Sequence, residues 1–303
     1  DWSVSLQVKL SYFGLMALGR RIGFGAVWPF LDRAGRAAYK FRTREIEGIC
    51  ASQGVILSYP KSGRTWVEVI LSKLFVARLG LSDDRILEFE RDSEILTGVP
   101  RLHFTHDFAH VIRGEWKLPV RCTRGYMHKK LVLLIVRNPI DTAVSMYFQQ
   151  IKREHNLSDV EIFNYVRDWK GGLPTIIEFL NFWAEELLRI DRCLMVSYED
   201  LRADTIMHVI RIVRFFGFEF SNAEIAAAVS FADFGNLQKM EKQGQLSDWR
   251  FSKNAVDDED RLKVRRGKVG GYRDYFDSDQ CAELEKIVSD TLDPIYGYGE
   301  KLP

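Results

Sequence analysis

The segment Ser58-Tyr59-Pro60-Lys61-Ser62-Gly63-Arg64-Thr65-Trp66 brings a lysine, a glycine, hydroxyls and a tryptophan together behind a short apolar run. A loop of this kind, set between a strand and a helix, aims successive backbone N–H groups and a helix N-terminus at one point. That is an anion site by construction. Gly63 lets the backbone approach a ligand closely, Lys61 adds positive charge, and Ser62 and Thr65 supply hydroxyl donors. Trp66, expected as an exposed ring, is placed to stack on a nucleotide base. The bland alternative is a plain Pro-Lys-Ser-Gly turn. The loop lacks the GxxxxGK[ST] spacing, and no strand ends in an obvious Walker-type aspartate, so magnesium-dependent phosphoryl transfer is disfavoured. A kinase using ATP and Mg is nonetheless the alternative function to be weighed.

A second cluster, Arg137-Asn138-Pro139-Ile140-Asp141-Thr142-Ala143-Val144-Ser145, follows the most apolar run in the chain. Arg137 stands at the expected carboxyl end of a strand, where open α/β sheets bind ligands. Ser145, two helical turns on, can present its hydroxyl to the same anion. Alone, Arg137 reads equally well as the partner of a nearby carboxylate, and Ser145 as a helix-surface residue. Two anion-type motifs on neighbouring strand ends are more informative than either one. Between them lies Leu102-His103-Phe104-Thr105-His106-Asp107. Were it helical, His103, His106 and His110 would share a face beside Asp107 and read as metal ligands. The pattern does not demand the preformed geometry a metal needs, so no metal is expected. Glu68, one turn into the first helix, is a second candidate base, more simply read as a helix-surface or ion-paired carboxylate.

The elements that must position these residues alternate. Val55–Tyr59 reads as a buried strand, followed by helical periodicity over Thr65–Arg78. Leu131–Val136 is the strongest strand, and Pro139 opens a helix running to about Lys152. Leu173–Ile190 reads as a long helix, Cys193–Tyr198 as another buried strand, and Asp204–Phe216 and Ser278–Leu292 as helices. Such alternation implies an α/β domain, a parallel sheet covered on both faces in three layers. Asn236–Gly271 is polar and aperiodic and reads as a long functional loop or lid. Residues 1–48 form a basic amphipathic helical region packed on or beside the core formed by 49–303. Its basic residues also suit contact with anionic lipid, a peripheral membrane role.

Composition bounds the rest. A chain of 303 residues with net charge +1 is not built as a nucleic-acid binder, which would show a basic excess. The four cysteines, Cys50, Cys122, Cys193 and Cys281, have neither CxxC nor zinc-ligand spacing. Cys50 and Cys193 adjoin apolar runs and read as buried thiols, so a reducing, cytoplasmic setting is expected. In the N-terminal stretch, neither uncharged run, Leu10–Gly19 or Ile22–Leu31, approaches the roughly 20 apolar residues that span a bilayer.

Taken in order, these motifs resemble those of the cytosolic-type sulfotransferases. Tyr59-Pro60-Lys61-Ser62-Gly63-x-Thr65-Trp66 resembles their 5′-phosphosulfate loop, and Arg137-Asn138-Pro139-x-Asp141-x-Ala143-Val144-Ser145 their 3′-phosphate motif. Val196-Ser197-Tyr198-Glu199-Asp200-Leu201 is similar to the segment whose tyrosine contacts the adenine. Val229-Ser230-Phe231 resembles the next nucleotide-contacting segment, and Arg265-Arg266-Gly267-x-x-Gly270 the loop that closes on the 3′-phosphate. The resemblance spans Tyr59 to about Phe276 and implies a P-loop-like, nucleotide-kinase-like fold. It implies 3′-phosphoadenosine 5′-phosphosulfate (PAPS) as donor, the bisphosphate PAP as product, and a hydroxyl-bearing small-molecule or lipid acceptor. His106 then matches the catalytic histidine, whose ordinary near-neutral pKa suits proton abstraction, and Lys61 stabilises the leaving group. Lys61, Ser62, Gly63, Arg64, Thr65, Trp66, Arg137, Ser145, Tyr198, Ser230, Phe231, Arg265, Arg266 and Gly267 are the implied donor contacts. Phe104 replaces the family's frequent lysine, and Arg64, standing where the family has a small hydroxyl residue, can compensate for the positive charge lost at Phe104. Gly270-Gly271-Tyr272 replaces the family's Gly-Asp-Trp, and the dimerisation motif is not recognisable around Arg273–Glu283, which leaves the oligomeric state open. Phe104, Phe108, Trp116, Tyr147 and Phe148 suit an apolar acceptor.

Overall fold

The computed structural model describes residues 43–107, 124–153, 160–168, 171–245, 251 and 262–298. The expected N-terminal region thus lies almost wholly outside the described residues, as do Phe108, His110, Trp116, Cys122 and much of the expected lid.

Among the described residues four strands, β1 (Gly54–Ser58), β2 (Leu102–Thr105), β3 (Leu131–Val136) and β4 (Arg192–Ser197), form one parallel sheet in the order β2-β1-β3-β4. The helices, in chain order, are α1 (Arg64–Arg78), α2 (Phe89–Ile95), α3 (Pro139–Phe148), α4 (Ile162–Asp168) and α5 (Leu173–Leu187). They continue as α6 (Tyr198–Ala203), α7 (Thr205–Phe215), α8 (Asn222–Phe231), α9 (Phe234–Lys242) and α10 (Ser278–Thr291). Residues 43–51 are also helical.

Strand alternation sorts the core into two halves. Val55 and Leu57 of β1 and Val132, Leu134 and Val136 of β3 face a cluster with α3, α5 and α10. Ile56, Leu133 and Ile135 face the other cluster, with α1, α7, α8 and α9. A strand buried on both faces needs no polar alternation, which is why these runs are continuously apolar. Each such side chain, fully buried, contributes roughly 1.5–3 kcal/mol relative to exposure. The register places the strand ends: Ser58, the last residue of β1, pairs with Ile135 of β3. The chain leaves β1 towards β2 on one side and returns as β3 on the other, so the two strand ends flank a topological switch point.

Several expectations are corrected. The helix from Pro139 stops at Phe148, and a π turn over Gln149–Arg153 takes its place. β4 is not a buried strand: it is the edge of the described sheet, exposed over its first residues, and Cys193 there is exposed. Cys50, at the end of the helical stretch 43–51, is exposed as well. Asn236 belongs to helix α9 rather than to a loop. Glu68 is buried, not on the helix surface. Phe104 is a core residue packed edge-on against Phe89, with ring centroids 5.8 Å apart.

Nor does His103 sit on a helix face, because Leu102–Thr105 is strand β2; His110 lies outside the described residues. His103 turns outward between two carboxylates, with Nδ1 3.2 Å from Glu90 and Nε2 3.3 Å from Glu45. It thereby ties the helical stretch 43–51 and α2 to the outer strand. Burial lowers its pKa, but the hydrogen bonds and charges of Glu45 and Glu90 outweigh that and hold it at about 9. Glu90 is held below its ordinary value: burial pushes it up, while His103, the Phe104 N–H and the charge of Arg64 pull it down further. A raised histidine pKa contributes stability that is complete below about 6.5 and lost as pH rises through about 9. Denaturant midpoints are therefore expected to fall between these pH values. His103→Gln is expected to flatten that fall, and an unchanged profile in the variant would show that His103 is not its source.

Candidate active site

Beyond β1 the backbone takes left-handed turns at Lys61 (φ 71°) and Gly63 (φ 97°) before α1 begins at Arg64. Gly63 at the N-cap has no side chain to close the end of α1, and no acidic residue sits in its first turn, so the positive end of its dipole is open to the loop among the described residues. Helix α3 differs. Asn138 Oδ1 accepts from the N–H groups of Ile140 (2.9 Å) and Asp141 (3.2 Å), which closes that helix end. The positive charge at the second motif accordingly comes from the Arg137 guanidinium.

That guanidinium joins two loops. Its Nη1 donates to the Lys61 carbonyl (3.0 Å) and its Nη2 reaches the Lys268 carbonyl (3.5 Å). It lies 4.6 Å from the ring centre of Tyr198, the buried first residue of α6. Tyr198 in turn donates from its hydroxyl to the Gly267 carbonyl (3.2 Å), and burial pushes that hydroxyl above its ordinary pKa. Its ring meets Trp66 edge-on at 6.0 Å. A Cβ at Gly63 would come within 2.7 Å of the Tyr198 ring, and one at Gly267 within 2.7 Å of Phe234. Both close approaches require glycine.

Trp66 is not the exposed ring expected. It is half-buried, with Nε1 donating to the Ala232 carbonyl (2.8 Å) and Arg202 5.5 Å from its ring centre. That bond draws the end of α8 towards the loop: Phe231 is half-buried under Lys73, while Ser230 is exposed. Ser62 is buried, Thr65 and Arg64 are half-buried, and Ser145 sits half-buried on the mostly buried α3. Tyr147 and Phe148, expected to face an acceptor, pack on each other and with the core under α3.

The second basic loop is held from behind. Glu241 of α9 accepts from the N–H groups of Lys263 (2.7 Å) and Val264 (2.9 Å). Arg266 and Lys268 both bind the carboxylate of Asp274, whose pKa lies below its ordinary value through the hydrogen bond from Lys268 first. Arg265 lies over the Phe148 ring at 3.8 Å and, with Arg266, bonds the Tyr275 hydroxyl. The arginine loop is thus beside Arg137 through its backbone, while its own guanidinium groups point to Asp274 and Tyr275.

His106 closes the other side. Its Nδ1 is 2.8 Å from the Ser58 carbonyl, which can only accept, so Nδ1 carries a proton, and in the neutral ring Nε2 holds the lone pair. The next residue, Asp107, is buried in a left-handed conformation, with Arg124 Nε bonding both its oxygens at 2.7 and 3.0 Å. Lys61 Nζ donates to Gln149 Oε1 (3.3 Å) at the start of the π turn.

Sequence reasoning gave no role to Gln149, Glu199, Asp141 or Asp274. Glu199 accepts from the Asn138 N–H (2.9 Å) and the Tyr298 hydroxyl (2.7 Å), and burial nevertheless pushes its carboxyl above the ordinary value. Asp141 did carry a signal, its four-residue spacing from Arg137. Among the described residues no group of side chains is suited to hold a metal ion, and no helix is long and apolar enough to cross a membrane.

Comparison with known proteins adds a family. Residues 52–295 match the model of the sulfotransferase domain. Flavonol 4′-sulfotransferase of Flaveria chlorifolia is 26% identical over 263 residues, covering 78% of each chain. 3-Alpha-hydroxysteroid sulfotransferase of Cavia porcellus is 23% identical over 265 residues, covering 82% of this chain and 85% of the relative. Among solved structures, mouse sulfotransferase SULT7A1 complexed with PAP superposes with a TM-score of 0.55 at 20% identity, covering 82% and 88% of the two chains. Retinol dehydratase in complex with androsterone and inactive cofactor PAP gives 0.55 at 17% identity, with 78% and 79% covered. These structures share the fold.

Gly63→Ala is expected to destabilise the protein by about 1–3 kcal/mol in chemical denaturation, because a left-handed residue gains a Cβ against a buried ring. Gly125, around which a Cβ meets nothing within 4 Å, is the control. Gly125→Ala should stay within about 0.5 kcal/mol of the parent.

Proposed function

The chain belongs to the sulfotransferase family, and on that premise we propose that it moves a sulfonate from PAPS to a hydroxyl group of a small-molecule or lipid acceptor. The observation that carries this reading is the contact of Arg137 with the Lys61 carbonyl, which holds a second cationic motif against the phosphate-type loop. A donor with phosphates at both ends of adenosine needs two such sites a nucleoside apart, and ATP does not. The residues present fit such a donor. The loop from Lys61 to Trp66 and the N-terminus of α1 suit its 5′ end. Arg137 and Ser145, with Arg265, Arg266 and Gly267, suit its 3′-phosphate, and Tyr198, Ser230 and Phe231 are assigned to the adenosine between by the resemblance.

In this reading His106 Nε2 receives the acceptor's hydroxyl proton as the acceptor oxygen bonds to sulfur. The bond from sulfur to the bridging phosphate oxygen breaks, and the electron pair leaves on that oxygen. Lys61 offsets the charge that develops there, together with the dipole of α1. The Ser58 carbonyl keeps His106 in the tautomer that can take the proton. No metal is called on.

The acceptor class rests on relatives named for flavonol and hydroxysteroid sulfation. A lipid acceptor, and contact of residues 1–48 with an anionic membrane surface, extend the reading on the strength of the basic N-terminal sequence alone. The division into 1–48 and 49–303, and the cytoplasmic setting, belong to the same proposal.

A radiolabelled-donor assay over phenolic, steroid, lipid and glycan acceptors is expected to label a hydroxyl-bearing class. Binding of 3′,5′-adenosine bisphosphate should exceed that of ATP, and the reverse order would return the kinase alternative. His106→Ala is expected to cut turnover about 10²–10⁴-fold while leaving bisphosphate affinity intact. Unchanged turnover would remove His106 from the mechanism. Arg64→Thr is expected to weaken activity or donor affinity, and full retention of both would end the compensating role given to Arg64.

A further inference from the structure

Asp141 is a buried carboxylate to which the proposed chemistry gives no work. It sits in the first turn of α3, and its two oxygens are used on a different part of the chain. Oδ2 accepts from the Gly270 N–H at 2.7 Å, and Oδ1 from the Tyr272 N–H at 2.9 Å. Oδ2 also lies 4.0 Å from Arg137 Nη2. One carboxylate therefore faces the guanidinium of the second anion motif and the downstream root of the Arg265-Arg266-Gly267 loop at once. Bonds from N–H groups to an ionised acceptor are about twice as strong as neutral ones. They are also directional, so the two together fix position as well as distance.

The rest of the loop is restrained at its upstream end by Glu241, and midway by Tyr198 at the Gly267 carbonyl. Downstream, the Gly270 and Tyr272 N–H groups are tied to Asp141. Arg265, Arg266 and Lys268 lie between these fixed points, with side chains that reach Tyr275 and Asp274 and can exchange partners there.

We infer that Asp141 is the positioning residue of the donor's 3′-phosphate site, anchoring the arginine loop to Arg137 through the Gly270 and Tyr272 N–H groups. It touches no ligand. It acts by keeping two cationic segments, distant in sequence, at one separation. This rests on the proposed PAPS donor, and the test separates the two.

The test compares affinities of 3′,5′-adenosine bisphosphate and adenosine 5′-monophosphate for the intact protein and for Asp141→Asn. The asparagine keeps the shape of the side chain but offers one acceptor oxygen where two are used. The parent is expected to prefer the bisphosphate. Asp141→Asn is expected to lose about tenfold of that preference, the cost of one charge-assisted hydrogen bond, while 5′-monophosphate affinity stays constant. An equal loss for both nucleotides would mark general structural damage and overturn the inference, as would an undiminished preference. A parent that does not distinguish the nucleotides would sink the donor reading, and this inference with it. Should Asp141→Asn not yield folded protein, Asp141→Glu serves. It keeps both oxygens and the charge but moves them by one methylene, and the same selective loss is expected.

Discussion

The parallel pairing of β1 with β3 is the constraint on which the site depends. Ser58 lies opposite Ile135, so the chain leaves the sheet at Tyr59 and at Arg137 on the same edge and one strand apart. A slip of one residue would exchange the two apolar faces of β3, moving Leu133 and Ile135 to the cluster that holds Val132 and Leu134. Packing on both faces fixes the register, and the register brings the Arg137 guanidinium to the Lys61 carbonyl. The geometry of the anion site is in this sense set by apolar residues that never touch an anion.

Charge is then balanced internally. Arg137, Arg265, Arg266 and Lys268 converge on one region of a chain whose net charge is only +1. Like charges held together repel, and the fold answers with carboxylates at fixed places: Asp141 beside Arg137, and Asp274 on Arg266 and Lys268. Glu199 serves the backbone instead, holding the Asn138 N–H at the turn into α3. The acids keep the cations ordered at the cost of part of their field.

Much of this was legible in the sequence, for identifiable reasons. Leu131–Val136 had no competing reading, since six apolar residues with β-branched members before Arg-Asn-Pro fit only a buried strand and a helix start. Pro139 marked the start of α3, and the fold adds Asn138 as its cap. The sequence misled where neighbours decide. Cys193 lies in an apolar run, yet β4 is the edge of the described sheet and leaves it exposed. Trp66 read as an exposed platform, but a partner 166 residues away takes its N–H. The π turn at Gln149 has no local signature at all. Asp141 stood four residues from Arg137, but only the fold shows which N–H groups and cations it and Asp274 serve.

The site's parts are far apart along the chain. The bonds from Arg137 to Lys61, Tyr198 to Gly267 and Trp66 to Ala232 span 76, 69 and 166 residues. No single supersecondary unit contains a working fragment, so the site can exist only once the sheet and both helical layers have formed. Closing such long loops is entropically costly and makes folding slow relative to proteins with local contacts. It also means that anything held at this site binds the native state and not its partly folded precursors. Occupancy is thereby linked to the folding equilibrium of the whole unit, and a tightly held nucleotide acts as a keystone for layers it does not touch.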